Sequence, residues 1–246
     1  MSHTRLYFPH SISVGALLEL GSDQARYVGR VLRSKPGDQV SVFNGDDGEW
    51  QTELVRIGKN DATLRVLKRL DPATESPLDL HLVQGISRGE RMDIVMQKAT
   101  ELGVRRVTPV LADHGMVRLT SERAAKRQTH WQSVANSACE QCGRIRPPRV
   151  DRPLRLNDWF GEQRDYDALR LILKPEAGTP LAATEAPTGT VCFLTGPEGG
   201  FSQREYEDAA AAGFHAVELG PRVLRTETAA ITALALAQSL WGDLQA

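Results

Sequence analysis

The sequence has 246 residues, of which 41% are hydrophobic, and its formal net charge is −1. This composition suits one or two globular domains and excludes a strongly basic protein that would bind nucleic acid over its whole surface. The longest apolar run spans only residues 233–237, which excludes a membrane-spanning helix. Three cysteines in apolar settings and no apolar leader segment predict a cytoplasmic protein.

Residues 1–70 carry the signals of short β-strands. The predicted strands 39–43 and 49–57 flank Asn44-Gly45 and Asp47-Gly48, which are strong hairpin signals. Short strands at this spacing predict a small β-barrel. The polar segment 71–77 contains two prolines, which neither a helix nor a central strand accepts, so it is the predicted linker.

Strand and helix patterns alternate after the linker. Such alternation predicts a parallel sheet with helices on both faces, and therefore an α/β domain. The predicted strands are 78–85, 104–111, 169–173, 191–194 and 216–219, and the predicted helices are 90–102, 121–142, one beginning at Ser202, and 226–241. The last helix is apolar nearly all round, so it requires cover on more than one side, from this chain or from a second subunit.

Two glycine-bearing loops follow the last two predicted strands. Residues 194–202 read L-T-G-P-E-G-G-F-S, and residues 219–230 read L-G-P-R-V-L-R-T-E-T-A-A. Open α/β sheets bind ligands beyond the carboxyl ends of their strands, and glycine lets the backbone approach a ligand closely. The alternative is a pair of ordinary strand-to-helix turns. The loops lack the common phosphate-binding motifs, which disfavours a nucleotide-hydrolysing enzyme.

The pair Cys139-x-x-Cys142 has the spacing of a metal or redox motif. A structural zinc site needs four ligands, and the sequence has no second C-x-x-C and no H-x-x-x-H. The pair lies near the end of a predicted helix, whereas redox pairs lie at helix N-termini. We expect both cysteines to pack in a core, and we expect no metal.

The two loop motifs resemble those of the SPOUT (trefoil-knot) RNA methyltransferases. Within that group the chain is similar to the ribosomal RNA small subunit methyltransferase E family. The resemblance extends to five further stretches, which are Arg30–Arg33, Arg88–Asp93, Gln97–Gly103, His130-Trp131 and Ala138–Arg144. It implies a PUA-like RNA-binding barrel over residues 1–70 and a knotted methyltransferase domain over residues 78–246. It also implies a homodimer that uses S-adenosylmethionine to methylate N3 of a uridine in 16S rRNA.

The resemblance implies residues for each role. The implied cofactor-binding residues are Leu173, Pro175, Glu176, Thr195, Gly196, Pro197, Gly199, Gly200, Leu219, Gly220, Val223, Leu224, Thr226 and Ala229. Uridine N3 carries a proton at neutral pH, so Glu198 and Glu227 are alternative bases, with Glu198 equally able to accept hydrogen bonds from the loop. Arg222 and Arg225 are candidate donors to the uracil oxygens, and we favour Arg225.

Arginines are the candidate contacts to RNA phosphates. Residues 114–156 hold nine lysines and arginines against three acids, although a solvated helix face would show the same excess. The candidates are Arg5, Arg30, Arg33, Arg88, Arg91, Arg123 and Arg144. A non-catalytic RNA-binding protein with a relic cofactor site is the alternative function.

Overall fold

A computed structural model of the protein describes residues 4–115, 120–162 and 167–244. The chain divides into two compact units. The first unit contains Met1–Glu75 and Cys139–Pro147, and the second contains Ser76–Ala138 and Pro148–Ala246. This division differs from the linear one expected from the sequence, because residues 139–147 group with the first unit.

The first unit is built on a five-stranded sheet in the order β1-β3-β4-β5-β2. Its elements are β1 (Arg5–Tyr7), β2 (Leu17–Leu20), α1 (Ser22–Arg26), a π-helical turn (Tyr27–Val31), β3 (Gln39–Phe43), β4 (Glu49–Ile57) and β5 (Ala62–Leu70). The predicted hairpin is present, since β3 and β4 pair antiparallel over the expected residues. Gly45 and Gly48 between these strands have positive φ values of 93° and 91°. Glycine adopts such values at little steric cost because it has no Cβ atom.

The predicted cysteine pair lies in the part of the first unit that comes from residues 139–147. Both thiols are free, Cys139 is buried and Cys142 is partly buried. The hydrogen bond with Cys142 and burial together raise the pKa of the Cys139 thiol. Cys139 therefore packs in the interior in the protonated form, and Cys142 lies beside it partly buried.

The second unit is built on a seven-stranded sheet whose main path is β12-β10-β11-β6-β7-β8, with β9 pairing with β7. All of its strand pairs are parallel. Its strands are β6 (Leu80–Gly85), β7 (Arg106–Leu111), β8 (Arg149–Val150), β9 (Leu154–Arg155), β10 (Ala168–Leu173), β11 (Thr190–Thr195) and β12 (His215–Val217). Its helices are α2 (Arg91–Glu101), α3 (Ser121–Cys142, whose last four residues group with the first unit), α4 (Leu156–Glu162), α5 (Gln203–Ala211) and α6 (Thr226–Trp241), with a 3₁₀ turn at Leu181–Ala183.

Helices cover both faces of this sheet, which confirms the predicted architecture. On one face, Leu80 and Leu82 of β6 join a core with residues of α2 and α6. On the other face, Val83 and Leu194 join a core around Trp159 of α4. Every residue of β6 is buried, as expected for a strand with both faces covered. No helix in the described part of the chain is long and apolar enough to cross a membrane.

A buried polar network lies on the face of the seven-stranded sheet that packs around Trp159. The hydroxyl of Thr108 donates to Asp151 Oδ2 at 2.6 Å, so the contact of 2.8 Å between His81 Nε2 and Thr108 Oγ1 requires His81 Nε2 to donate. His81 is 1% exposed. Burial and the nearby charge of Arg106 lower the pKa of His81 from 6.5 to about 3, against the opposing charge of Asp151. The imidazole is therefore neutral in the folded protein.

This neutral histidine predicts a loss of stability in acid. Below pH 6.5 the unfolded chain takes up a proton at His81, but the folded protein does not until about pH 3. The free energy of unfolding should therefore fall by up to about 1.4 kcal/mol per pH unit between these values on account of this group. Urea unfolding from pH 7.5 to 4.5 should show a steeper fall for the parent than for His81→Gln, which keeps a donor for Thr108. Parallel curves would contradict this account.

Candidate active site

A cavity of about 560 Å³ lies at the carboxyl edge of the parallel sheet in the second unit. Cavities of a few hundred Å³ hold small molecules and cofactors. The cavity is lined by the segments that follow β10, β11 and β12, and by the first turn of α6. These segments meet because parallel strands end at the same edge, which is the edge where open α/β sheets bind ligands.

The loop after β11 is fixed at both of its ends. In the middle of the loop Gly200 N donates a hydrogen bond of 2.9 Å to the Pro197 carbonyl, which closes a turn, and Gly200 has a φ of 68°. Ser202 caps α5 in a full capping box with Glu205, as the sequence predicted. At the other side the loop backbone approaches Gly85, where a Cβ atom would lie 2.4 Å from Pro197 N.

The two glycine loops are tied together by one buried hydrogen-bonded chain. Thr226 is the first residue of α6, and its hydroxyl donates to the carbonyl of Gly196 at 2.5 Å. Gln84 Nε2 donates to Thr226 Oγ1 at 2.9 Å and to the Gly85 carbonyl at 3.0 Å. The ends of β6 and β11 and the start of α6 therefore hold one another in place around the cavity.

The cavity wall offers apolar surface and a few open polar atoms. Apolar side chains contribute to it from three strands or loops, at Leu173, Val217 and Leu224. Thr195 also lines it, and its buried Oγ1 has no hydrogen-bond partner among the described residues. A wall of this kind suits a largely uncharged ligand held by a small number of directed hydrogen bonds.

Glu198 is engaged at the mouth of the cavity. Its Oε1 accepts a hydrogen bond of 2.9 Å from Arg88 N and one of 2.5 Å from Arg91 Nη1. Partial burial opposes ionisation, but the backbone hydrogen bonds and Arg91 outweigh it and lower the pKa of Glu198. Glu198 is therefore a carboxylate that holds the turn preceding α2.

Glu227 differs from Glu198 although both line the same cavity. Its side chain is 13% exposed, and its Oε2 is buried and accepts no hydrogen bond from a described residue. Arg91 Nε lies 3.8 Å from that oxygen, which is within ion-pair range but too far for a hydrogen bond. Glu227 also lies in the first turn of α6, where the helix dipole favours a negative charge.

The structure brings most of the expected site residues together. All four expected catalytic residues line the cavity, and so does every expected cofactor-binding residue except Glu176. Glu176 adopts a left-handed conformation with a φ of 57° in the turn after β10, and it is not part of the lining. The lining includes Glu198, Arg222, Arg225, Glu227, Leu173, Pro175, Thr195, Gly196, Pro197, Gly199, Gly200, Leu219, Gly220, Val223, Leu224, Thr226 and Ala229.

Four lining residues are not among the catalytic and cofactor-binding residues expected from the sequence, and they are Arg91, Lys174, Tyr206 and Val217. Arg91, expected at the RNA surface, lines the cavity between the two glutamates. Tyr206 lies one helical turn after the cap of α5, and Lys174 Nζ is 4.9 Å from the centre of its ring. Burial and the charge of Glu205 raise the pKa of Tyr206. The position of Tyr206, four residues after Ser202 on the same helix face, is the one signal in the sequence that could have pointed to Tyr206.

Apart from Arg91, which lines the cavity, the expected RNA-binding arginines fall into two groups. Arg30, Arg33, Arg88 and Arg123 are exposed. Arg33 has a φ of 55°, a conformation that is uncommon for a residue other than glycine. Arg118, which belongs to the basic segment 114–156, lies outside the described residues.

Arg5 and Arg144 instead lie inside the first unit. Arg5 pairs with Glu49 at 2.8 Å and donates to the carbonyls of Gly143 and Arg144. Arg144 is 3% exposed and pairs with Glu75 at 2.9 Å. Because these donors face carboxylates and carbonyls within the unit, the two side chains hold residues 139–147 in place and do not present charge to RNA.

Two family models match the chain. A model for an RNA methyltransferase domain matches residues 74–238, and one for an RNA methyltransferase PUA domain matches residues 20–67. Ribosomal RNA small subunit methyltransferase E from Buchnera aphidicola subsp. Schizaphis graminum is 32% identical, over 98% of this chain and 97% of its own. The chain belongs to the ribosomal RNA small subunit methyltransferase E family.

Solved structures of similar proteins agree with this membership. Ribosomal RNA small subunit methyltransferase E from Neisseria gonorrhoeae, bound to S-adenosylmethionine, is 37% identical with a TM-score of 0.92, over 99% of this chain and 100% of its own. A Legionella pneumophila protein described as a methyltransferase, in complex with the same cofactor, is 40% identical with a TM-score of 0.94 over the same shares. The resemblance of this chain to the methyltransferase E family, drawn from the two loop motifs, is confirmed.

Proposed function

We propose that the protein transfers a methyl group from S-adenosylmethionine to N3 of a uridine in 16S rRNA. The observation that carries the proposal is the convergence of both glycine loops on one cavity that also holds two glutamates and three arginines. Membership of the methyltransferase E family supports rRNA methylation, and the relatives from N. gonorrhoeae and L. pneumophila support the cofactor.

The cavity fits the proposed cofactor. Thr195 Oγ1, which has no hydrogen-bond partner in the part of the chain that the structure describes, and the backbone around Gly196 and Gly220 offer hydrogen-bonding groups for the adenosine part. Leu173 and Leu224 offer apolar contact for its ring. When bound, S-adenosylmethionine supplies a methyl carbon that is already activated by the attached sulfonium.

The protein's own part in the reaction is alignment and proton transfer. Uridine N3 must lose its proton before it can form a bond to carbon, and a glutamate in the cavity accepts that proton. Arg225 and Arg222 donate hydrogen bonds to the uracil oxygens, which take up the negative charge that develops on the ring. Both arginines lie on the loop after β12, and both line the cavity and are exposed.

Four further features belong to the proposal. The first unit recognises rRNA with Arg30 and Arg33, supported by Arg88 and Arg123 of the second unit. Two copies of the chain associate through the outer face of α6, where Leu236 and Leu240 are each 39% exposed. The chain forms the trefoil knot implied by its family, and its rRNA substrate places it in the cytoplasm.

The position of the methyl group tests the proposal. Purified protein, S-adenosylmethionine and 16S rRNA, free or in the small subunit, should yield one methylated uridine. A methyl group on N3 blocks base pairing, so reverse transcription should stop there, and mass spectrometry should give one added methyl. A methyl group on another atom would overturn the N3 assignment. RNA affinity without affinity for S-adenosylmethionine would favour the non-catalytic alternative.

A further inference from the structure

We infer that Glu227 accepts the N3 proton, that Arg91 is the residue that positions it, and that Glu198 serves only to hold the turn before α2. This inference rests on the proposed function, because it assigns roles within the same cavity. The two glutamates line one site, but they differ in what their oxygens already bind. That difference decides between them.

Glu198 is poorly suited to accept a proton from substrate. Its Oε1 is already shared between Arg88 N and Arg91 Nη1. Protonating this carboxylate would break an ion pair and weaken two hydrogen bonds, which are stronger than neutral ones because the acceptor is charged. The same contacts anchor the segment between β6 and α2 to the loop after β11. Glu198 therefore has a structural role that depends on its remaining ionised.

Glu227 has an oxygen available for a proton. Its Oε2 is buried and accepts no hydrogen bond from a described residue, and the residue lines the cavity. A buried carboxylate oxygen without a donor is costly, so such an atom is commonly matched by a group on a ligand. The N3–H group of a uracil ring is a donor of the required kind.

Arg91 connects the two glutamates. Its Nη1 contacts Glu198, and its Nε lies 3.8 Å from Glu227 Oε2. The planar guanidinium directs these two nitrogens at fixed angles, whereas the single ammonium of lysine can contact only one carboxylate closely. Glu198 thus fixes Arg91, and Arg91 holds the carboxylate of Glu227 in place by ion pairing without donating a hydrogen bond to its Oε2.

In the proposed step, proton transfer from N3 precedes methyl transfer to N3. The N3–H bond breaks, its electron pair stays on N3 and spreads over the two uracil oxygens, and the proton moves to Glu227 Oε2. The N3 pair then forms the bond to the methyl carbon while the carbon–sulfur bond breaks and its pair remains on sulfur. The proton leaves Glu227 for solvent once the methylated base departs.

The test compares two RNAs that differ in the acidity of N3–H. Fluorine at C5 makes the N3 proton of uridine more acidic, so 16S rRNA transcribed with 5-fluorouridine needs less help from a base. Single-turnover rates are measured at saturating S-adenosylmethionine and RNA. We expect Glu227→Gln to lower the rate on uridine by about 10²-fold or more, and by a clearly smaller factor on 5-fluorouridine.

The matched variants separate proton transfer from structure. Glu198→Gln should lower the rate by the same factor on both RNAs, because its role is structural. Arg91→Lys should lower the rate on uridine about 10-fold with unchanged affinity for S-adenosylmethionine, and again by less on 5-fluorouridine. Equal factors on both RNAs for Glu227→Gln, or substrate-dependent factors for Glu198→Gln alone, would overturn the inference. Methylation by the parent at an atom other than N3 would instead overturn the proposed function.

Discussion

Gly85→Ala is expected to lower the affinity for S-adenosylmethionine by 10- to 100-fold. Gly85 ends β6, and a Cβ atom there would lie 2.4 Å from Pro197 N, 2.5 Å from Pro197 Cδ and 2.8 Å from Gly196 C. These are backbone and ring atoms that no rotamer change can move aside. Overpacking of this kind costs about 1–3 kcal/mol. If the loop after β11 shifts to relieve it, binding must restore the loop at the same cost, and each 1.4 kcal/mol corresponds to a tenfold change in affinity.

Calorimetric titration with S-adenosylmethionine measures this change, and a thermal unfolding curve separates it from loss of the fold. Gly189→Ala is the matched control, because a Cβ atom there meets no other atom within 4 Å. That variant should bind the cofactor as the parent does. Unchanged affinity for Gly85→Ala would mean that the close approach of β6 does not set the position of the loop.

Elements with local signals were predictable from the sequence. The hairpin of β3 and β4 follows from two X-Gly pairs between alternating strands, and α6 begins at the predicted Thr226. The carboxyl edge of the sheet was also predictable as the place of the cavity, since parallel strands followed by glycine loops leave few other places. Boundaries were less accurate, because β12 ends at Val217 whereas its prediction extended to residue 219.

Features that depend on contacts distant in sequence were not predictable. Arg91 and Glu198 lie 107 positions apart, and no periodicity or spacing relates them. Arg5 and Arg144 were expected at an RNA surface, because a sequence does not distinguish a buried arginine from an exposed one. Only the structure shows that they pair with Glu49 and Glu75. A sequence reports residue types, whereas the choice between Glu198 and Glu227 depends on which oxygen is left without a donor.

Arg225→Lys is expected to lower the rate of methyl transfer by about 10²-fold or more, with nearly unchanged affinity for S-adenosylmethionine. Arg225 is the N-cap residue of α6, and its carbonyl accepts from Ala229 N at 2.8 Å, so its backbone is fixed. Its side chain lines the cavity, is exposed, and has no carboxylate partner among the described residues. A guanidinium placed in this way can donate two parallel hydrogen bonds to the uracil oxygens, which a lysine cannot reproduce.

The size of the effect follows from when the contact is made. In the proposed reaction, charge on the uracil oxygens grows as the N3 proton leaves, so the contact is stronger in the transition state than in the bound complex, and its loss lowers turnover. Single-turnover rates at saturating cofactor and RNA isolate that step. Arg123→Lys on α3 is the control, because that exposed side chain needs only a point charge near phosphate, and the salt dependence of RNA binding should persist. If Arg225→Lys and the parent react at equal rates, Arg225 does no more than cap the start of α6.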